Sequence, residues 1–311
     1  MKPRGSTELA SAIVRHLGAQ PSAVREILGR GSVNRVFDVD LAGGERWIVR
    51  VRVDPLDTDH FPKEAWCMQA ARRHGVSVAE LVGVGTVEGT SFLVQSFVVG
   101  EPGEHRRSAE LWRALGACAR AVHAIPLDES APEDLFGRFG RDCRASWDAH
   151  VRYNVEQLST DDPLLGLGVY ARADQRALQV CIESLHTRIT EFALSHGDLV
   201  PNNVLVPDAG APVVIDWGSA CVGPVPFVDY LRVWSERGDE QFSAAELAAF
   251  ADGYGTAPEP LFATLADVQL LSRLDLVRWA LDRRTDRVKE IAHRSTLVVR
   301  DWLRARGELF R

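Results

Sequence analysis

Short strand-like apolar runs dominate the first third of the chain, and helical spacing dominates the rest. Ser6 to Leu17 carries apolar residues at helical intervals and predicts a short amphipathic helix. Three alternating runs follow. They are Val24 to Leu28, Arg35 to Leu41 with Val36, Val39 and Leu41 apolar, and Arg46 to Val53. The last sets Trp47, Val49, Val51 and Val53 on one face, with Ile48 breaking the pattern. Gly29-Arg30-Gly31-Ser32 and Ala42-Gly43-Gly44-Glu45 supply the turns between them. Phe61 to His74 predicts a helix that Gly75 stops, and Val82 to Gly85 and Ser91 to Val99 predict two strands around Glu88-Gly89-Thr90.

Gly100-Glu101-Pro102-Gly103 is the sharpest break. Beyond it, helical periodicity covers Leu111–His123, Arg144–Leu158, Ala173–Phe192, Val228–Ser235, Ala244–Tyr254, Pro260–Asp282 and Asp286–Gly307. Two short apolar strands interrupt this series near Val204 and Val214. The layout predicts an α+β fold in two lobes: residues 1–98 forming a small lobe around a sheet, residues 99–311 a large helical lobe, with a hinge near Val98 to Gly103.

Composition narrows the class. The chain has 311 residues, is 46% hydrophobic and 25% charged, and carries a net charge of −7. A nucleic-acid binder would show a basic excess, so no nucleic-acid partner is expected. No apolar run is long enough to cross a membrane, and Met1 to Arg15 has no apolar signal core, so a cytoplasmic protein with no membrane partner is expected. The five cysteines lack metal-ligand spacing and read as reduced thiols. Nothing in this sets an oligomeric state.

The chemistry concentrates in Ser195-His196-Gly197-Asp198-Leu199-Val200-Pro201-Asn202-Asn203-Val204-Leu205 and in Val213-Val214-Ile215-Asp216-Trp217. A loop carboxylate, an amide five residues on and a second carboxylate after a strand are what phosphoryl transfer requires. Asp198 is the candidate general base that takes the acceptor hydroxyl's proton. Asn203 and Asp216 are the candidate Mg2+ ligands, one neutral oxygen and one charged. Asn202 is the neighbouring alternative to Asn203, and His196 reads as a brace for the loop.

These motifs resemble those of the aminoglycoside phosphotransferase and choline kinase superfamily, relatives of protein kinases. The resemblance implies a bilobal, protein-kinase-like fold with a small antiparallel sheet and a large helical lobe. It implies Mg2+ as cofactor and ATP or GTP as donor. Gly31, Ser32 and Asn34 fall where a phosphate-covering loop belongs. Arg50, with Arg52 as the alternative, stands where the family often has Lys, and Glu64 is its partner on the next helix. Gln95, Phe97 and Val98 would form the hinge against the base, and Leu28, Val36, Ile48, Leu205 and Ile215 an apolar slot. Asp229 matches a downstream Asp of the family and reads as a helix-start or loop-bracing carboxylate, and His123 as a packing or capping residue.

The acceptor is expected to be a small hydroxyl-bearing molecule, an antibiotic or sugar-like compound, bound by the segments near 127–170 and 260–282. Trp147 and Trp279 are either stacking platforms or core anchors, and Arg278 is among the polar groups there. No carboxylate cluster marks a polycation site. A metabolic kinase for choline, homoserine or a similar metabolite is the alternative, and a nucleotide-binding pseudokinase scaffold is disfavoured because Asp198, Asn203 and Asp216 are all present.

Overall fold

The early alternating runs pair with one another. The structure is a computed structural model that describes residues 6–28, 34–53, 58–235 and 243–309. Helix α1 (Ser6–His16) precedes β1 (Pro21–Ile27), β2 (Asn34–Leu41) and β3 (Arg46–Arg52). Helix α2 (Phe61–Arg73), β4 (Leu81–Val87) and β5 (Thr90–Ser96) follow. The five strands lie in the order β1-β2-β3-β5-β4, every neighbour antiparallel.

Alternation sorts the two faces of this sheet. Phe37, Val39, Val49, Val51, Phe92 and Val94 bury against Ala10, Ile13 and Val14 of α1. Val36, Ile48, Arg50, Leu93 and Gln95 share the opposite face, as their register pairs Val36 with Arg50, Arg50 with Leu93 and Ile48 with Gln95. Val53, expected on the buried face, is 57% exposed, because the ladder ends at Arg52.

The remainder is helical around short strands. It runs β6 (Glu101–Pro102), α3 (Ala109–His123), α4 (Cys143–Gln157), α5 (Pro163–Gly166), α6 (Gln175–Arg188), β7 (Phe192–Ser195), β8 (Val204–Val206), β9 (Val213–Val214) and β10 (Cys221–Pro224). Helices α7 (Phe227–Ser235), α8 (Ala244–Tyr254), α9 (Pro258–Arg283) and α10 (Val288–Leu309) complete it. Helix α3 starts before the periodic run does, because Ser108 caps it by accepting from the Leu111 N–H at 3.2 Å. Phe192, expected to close a helix, instead opens β7, which pairs with β10 from Ser195↔Cys221 to Phe192↔Pro224. That pairing joins segments far apart along the chain, beyond the reach of local periodicity. The five cysteines are unpaired, and burial pushes the Cys67 thiol up to about 12. Among the described residues no helix is long and apolar enough to cross a membrane.

Two buried ionic knots lock the late helices. Asp267 of α9 accepts from Arg188, Arg306 and the Trp302 indole. Asp162 accepts from Arg278 at 2.7 Å and from the Tyr170 hydroxyl at 2.6 Å, while Arg278 also donates to Asn154 at 2.6 Å. Arg278 is therefore a structural strut, only 5% exposed, and not an acceptor-facing group.

Removing one partner leaves a buried charge uncompensated. Arg278→Met should destabilise the protein by about 3–5 kcal/mol in chemical denaturation, and adding Asp162→Asn should recover part of the loss. A midpoint unchanged by Arg278→Met would show that the knot carries no stability.

Candidate active site

The loop after β7 is held from behind by three buried groups. His196 is fully buried, places Nε2 3.1 Å from the Ile215 carbonyl, and its Nδ1 accepts from the Asp198 N–H at 3.3 Å. That pair of bonds requires the neutral ring protonated on Nε2, and burial pushes its pKa down. Asp229 of α7, also fully buried, accepts from the Gly197 N–H at 2.7 Å and meets His123 Nε2 at 2.9 Å. Burial works to raise the Asp229 pKa, but its bonds to His123 and Gly197 hold it below the usual range. Tyr254 places its hydroxyl 2.9 Å from His123 Nδ1 behind it. Asp229 and His123 are thus buried braces for the loop.

Gly197 has a φ of +79°, and a Cβ there would sit 2.3 Å from the Ser219 carbonyl oxygen. The loop carrying Asp198 and the loop carrying Asp216 touch backbone to backbone at this point.

Asp198 is presented between two partners. Its Oδ2 accepts from Asn203 Nδ2 at 2.8 Å, and the same amide nitrogen reaches the Asp198 carbonyl at 2.8 Å. Both donors are engaged, which leaves the Asn203 amide oxygen as the group able to coordinate a cation. The Ile215 N–H donates to the Asn203 carbonyl at 3.0 Å and brings Asp216 alongside. Asp216 has left-handed backbone, φ 62° and ψ 67°, sparsely populated by residues other than glycine. Asn203 and Asp216 are two oxygen donors, one neutral and one charged. That set fits a small hard cation that takes the rest of its shell from phosphate and water.

Arg50 links the sheet to this loop. Its guanidinium pairs with Glu64 of α2, Nη1 on Oε2 and Nη2 at 3.3 Å from Oε1, and Nη2 also lies 3.3 Å from Asp216 Oδ1. Glu64 is 2% exposed, and burial raises its pKa against the opposing pull of Arg50. Of the two arginines on this face, Arg50 is the one paired with Glu64, whereas Arg52 registers opposite Asn34 at the start of β2. Gly31 and Ser32 lie outside the described residues.

The residues expected to form an apolar slot are Leu28, Val36, Ile48, Leu205 and Ile215. Val36 and Ile48 from the sheet and Leu205 and Ile215 from the helical lobe are each partly buried, yet pack against neither of the two cores. Leu28, expected to share this slot, is 81% exposed at the end of β1. At the hinge, Phe97 donates its N–H to the Arg46 carbonyl at 2.9 Å and lies 3.6 Å beneath the Arg46 guanidinium. Its N–H is thus taken by the sheet edge, while its carbonyl is unused among the described residues' backbone bonds outside the regular elements. Val98 makes no backbone hydrogen bond among the described residues and is partly buried against the main core.

Two residues escaped the sequence reading. Arg232 of α7 places Nε 2.6 Å from Asp198 Oδ1. It follows Asp229 by three positions, so one helix face engages two consecutive loop residues, Gly197 and Asp198. That spacing was the available signal. Lys63, 5% exposed, donates from Nζ to the Gly218 carbonyl at 2.8 Å. In sequence it reads as an ordinary surface lysine. Trp147 is a core anchor, 8% exposed, with its indole 3.3 Å from the Leu185 carbonyl. Trp279 is 47% exposed.

The phosphotransferase enzyme family model matches residues 24–267. An aminoglycoside 3'-phosphotransferase of Streptomyces fradiae is 32% identical over 192 residues, 59% of this chain and 63% of the relative. One from Streptomyces ribosidificus is 29% identical over 153 residues, 47% of this chain and 54% of the relative. The chain therefore spans under two thirds of the length of the curated relatives it matches. Among solved structures, a spectinomycin phosphotransferase in complex with ADP and spectinomycin superposes with a TM-score of 0.61 at 14% identity, covering 95% of this chain and 98% of that one. Macrolide 2'-phosphotransferase MphH from Brachybacterium faecium gives 0.64 at 17%, covering 93% and 97%. Aminoglycoside phosphotransferase APH(4)-Ia gives 0.64 at 20%, covering 95% and 99%. These likenesses establish the bilobal kinase-like fold.

The contact at Gly197 is testable by stability alone. Gly210 also has positive φ, +105°, but a Cβ there would meet nothing within 4 Å. Gly210→Ala should cost about 1 kcal/mol from backbone strain, and Gly197→Ala clearly more, because the clash adds to a similar strain. Equal denaturation midpoints for the two variants would mean the loops yield at no cost.

Proposed function

The chain belongs to the phosphotransferase enzyme family, and from that premise we propose that it transfers the γ-phosphoryl group of a nucleoside triphosphate to a hydroxyl of a small antibiotic or sugar-like molecule. The observation that carries this reading is the convergence of Asp198, Asn203, Asp216 and the Arg50–Glu64 pair on one cleft. In the proposed reaction the acceptor hydroxyl donates its proton to Asp198 as its oxygen forms the new bond to phosphorus. The bond from that phosphorus to the β-phosphate oxygen breaks, and the nucleoside diphosphate leaves.

Each residue has a place in that scheme. Asn203, through its amide oxygen, and Asp216, through its carboxylate, would hold Mg2+, which neutralises charge on the phosphates when bound. Arg50, steadied by Glu64, would reach the phosphates with its planar fork, a role the family often gives to Lys. Val36, Ile48, Leu205 and Ile215 would sandwich the base, with Val98 offering hinge backbone groups. Asn34, with Gly31 and Ser32, would cover the phosphates. The division into a nucleotide lobe, residues 1–98, and an acceptor lobe, residues 99–311, and a cytoplasmic location near the nucleotide pool belong to the same proposal.

An antibiotic acceptor is supported by the relatives, which are aminoglycoside 3'-phosphotransferases by name, and by fold neighbours seen with spectinomycin or hygromycin B. The carboxylates Asp148, Asp162, Asp267 and Asp275, all within or beside the expected acceptor segments, already pair with Arg144, Arg278, Arg188 and Arg138. These four are held in ion pairs within the protein.

The test is a γ-phosphate transfer screen over antibiotic and metabolite panels, with Asp198→Ala as control. The variant should lose transfer to every acceptor while nucleotide affinity stays within a few-fold; full residual turnover would remove Asp198 as the base. Arg232→Met should slow transfer by about 10- to 100-fold, since Asp198 loses one of the two side chains that aim it, and Arg232→Lys less. Thermal stability should hardly change, because the pair is half exposed. An unaltered turnover number for Arg232→Met would make that contact incidental.

A further inference from the structure

We propose that Lys63 is a positioning residue that holds the Asp216 turn in its metal-binding shape; this rests on the phosphoryl-transfer reading of the cleft. Lys63 stands next to Glu64 on α2, is 5% exposed, and donates from Nζ to the Gly218 carbonyl at 2.8 Å. Among the described residues it forms no ion pair, so its acceptor there is that carbonyl. Burying an ammonium is costly unless an acceptor answers it, and a fold that needed only to fill this space would do so with an apolar side chain. The carbonyl that answers it belongs to the residue two positions after Asp216.

That turn needs outside support. Asp216 has left-handed backbone, a conformation that persists in a residue other than glycine only where its surroundings impose it. Helix α2 supplies the surroundings. Its Phe61, Ala65 and Met68 lie in the same core as Trp217, apart from the cluster that joins the sheet to α1. The chain leaving α2 bonds the strand before the turn, with the Val214 N–H donating to the Ser77 carbonyl at 2.9 Å. Gly218 packs so closely that a Cβ on it would lie 3.2 Å from Glu64 Oε1 and 3.6 Å from Asp216 Oδ1. Lys63 closes this seat with a charge-assisted bond, about twice as strong as a neutral one. Groups that orient a metal ligand in this way typically set about 10- to 100-fold of metal affinity. The sign of the effect separates this role from simple charge. An ammonium near a cation site repels the cation, so by Coulomb's law alone its removal would tighten Mg2+ binding. By positioning, its removal weakens Mg2+ binding.

The experiment is calorimetric binding of ATP and GTP to the full chain, each with saturating Mg2+ and in EDTA, for the native protein, Lys63→Met and Lys63→Gln. Mg2+ should tighten binding of the preferred nucleotide to the native protein. Lys63→Met should give up about tenfold of that gain, while its affinity in EDTA stays within about twofold of native. Lys63→Gln, whose amide is a neutral donor one bond shorter, should give up about threefold. A gain unchanged or increased in both variants overturns the assignment of Lys63. So does an equal loss with and without Mg2+, which would mark a general loosening of the cleft. Should Lys63→Met not fold, Lys63→Gln decides alone, and an unchanged gain overturns the assignment. If Mg2+ leaves the native affinity unmoved, this assignment fails while nucleotide binding stands. If the native protein binds neither nucleotide, the proposed function and this assignment fall together.

Discussion

A carboxylate with no solvent exposure anchors the chemistry of this chain. Asp229 sits inside the helical lobe, where an unpaired charge would be prohibitive, and its two oxygens are divided between the His123 ring and the Gly197 N–H. That division ties three elements to one point. His123 brings the end of α3, Tyr254 brings α8 through its hydroxyl, and Asp229 brings α7. The loop that presents Asp198 is short and irregular, and its own backbone cannot hold a reacting group to a fraction of an ångström. Its rigidity is borrowed from the packed helices behind it.

The second constraint crosses the cleft. Arg50, Glu64 and Lys63 from the sheet lobe all meet the Asp216–Gly218 turn of the other lobe. Burying Glu64 almost completely is unfavourable in itself, and Arg50 offsets that only in part, as the raised pKa of Glu64 shows. Such a pair is poor evidence for stability and better evidence for a specified geometry. It fixes where α2 stands relative to Asp216. In the proposed reaction a phosphate arriving near Arg50 would compete with Asp216 for the same guanidinium, so Arg50 and the Asp216 turn would respond to one event.

What the sequence made legible follows from how local each feature is. The loop from His196 to Asn203 and the strand ending at Asp216 lie within about two dozen residues, and their spacing alone implies the constellation. Arg50 and Glu64 were legible because a strand and the next helix pack in sequence order. Arg232 was not, because its contact with Asp198 depends on how α7 docks, although its spacing from Asp229 held a hint. Lys63 was hidden by the rule that lysines are exposed. Arg278 was misplaced for the opposite reason: an arginine beside a tryptophan looks like a binding surface until Asp162 and Asn154 are seen to enclose it. The boundary between α6 and β7 was blurred because strand pairing over a long separation leaves no local trace.

In the proposed function the two lobes would divide labour, and that division would let the acceptor vary. In the proposed reaction, the groups that would handle the phosphoryl group are held by contacts among the loops, β3, α2, α3 and α7. The acceptor-side helices are held separately, by Asp162 with Arg278 and by Asp267 with Arg188 and Arg306. Those knots absorb the carboxylates inside the protein and leave the exposed surface of α9, with Trp279, unconstrained by them. Exposed positions on a rigid helix can change at little cost in stability, whereas buried charge partners cannot. Acceptor preference is therefore free to diverge on surfaces like that of α9, while the reaction stays bound to Asp229 and the loop it holds.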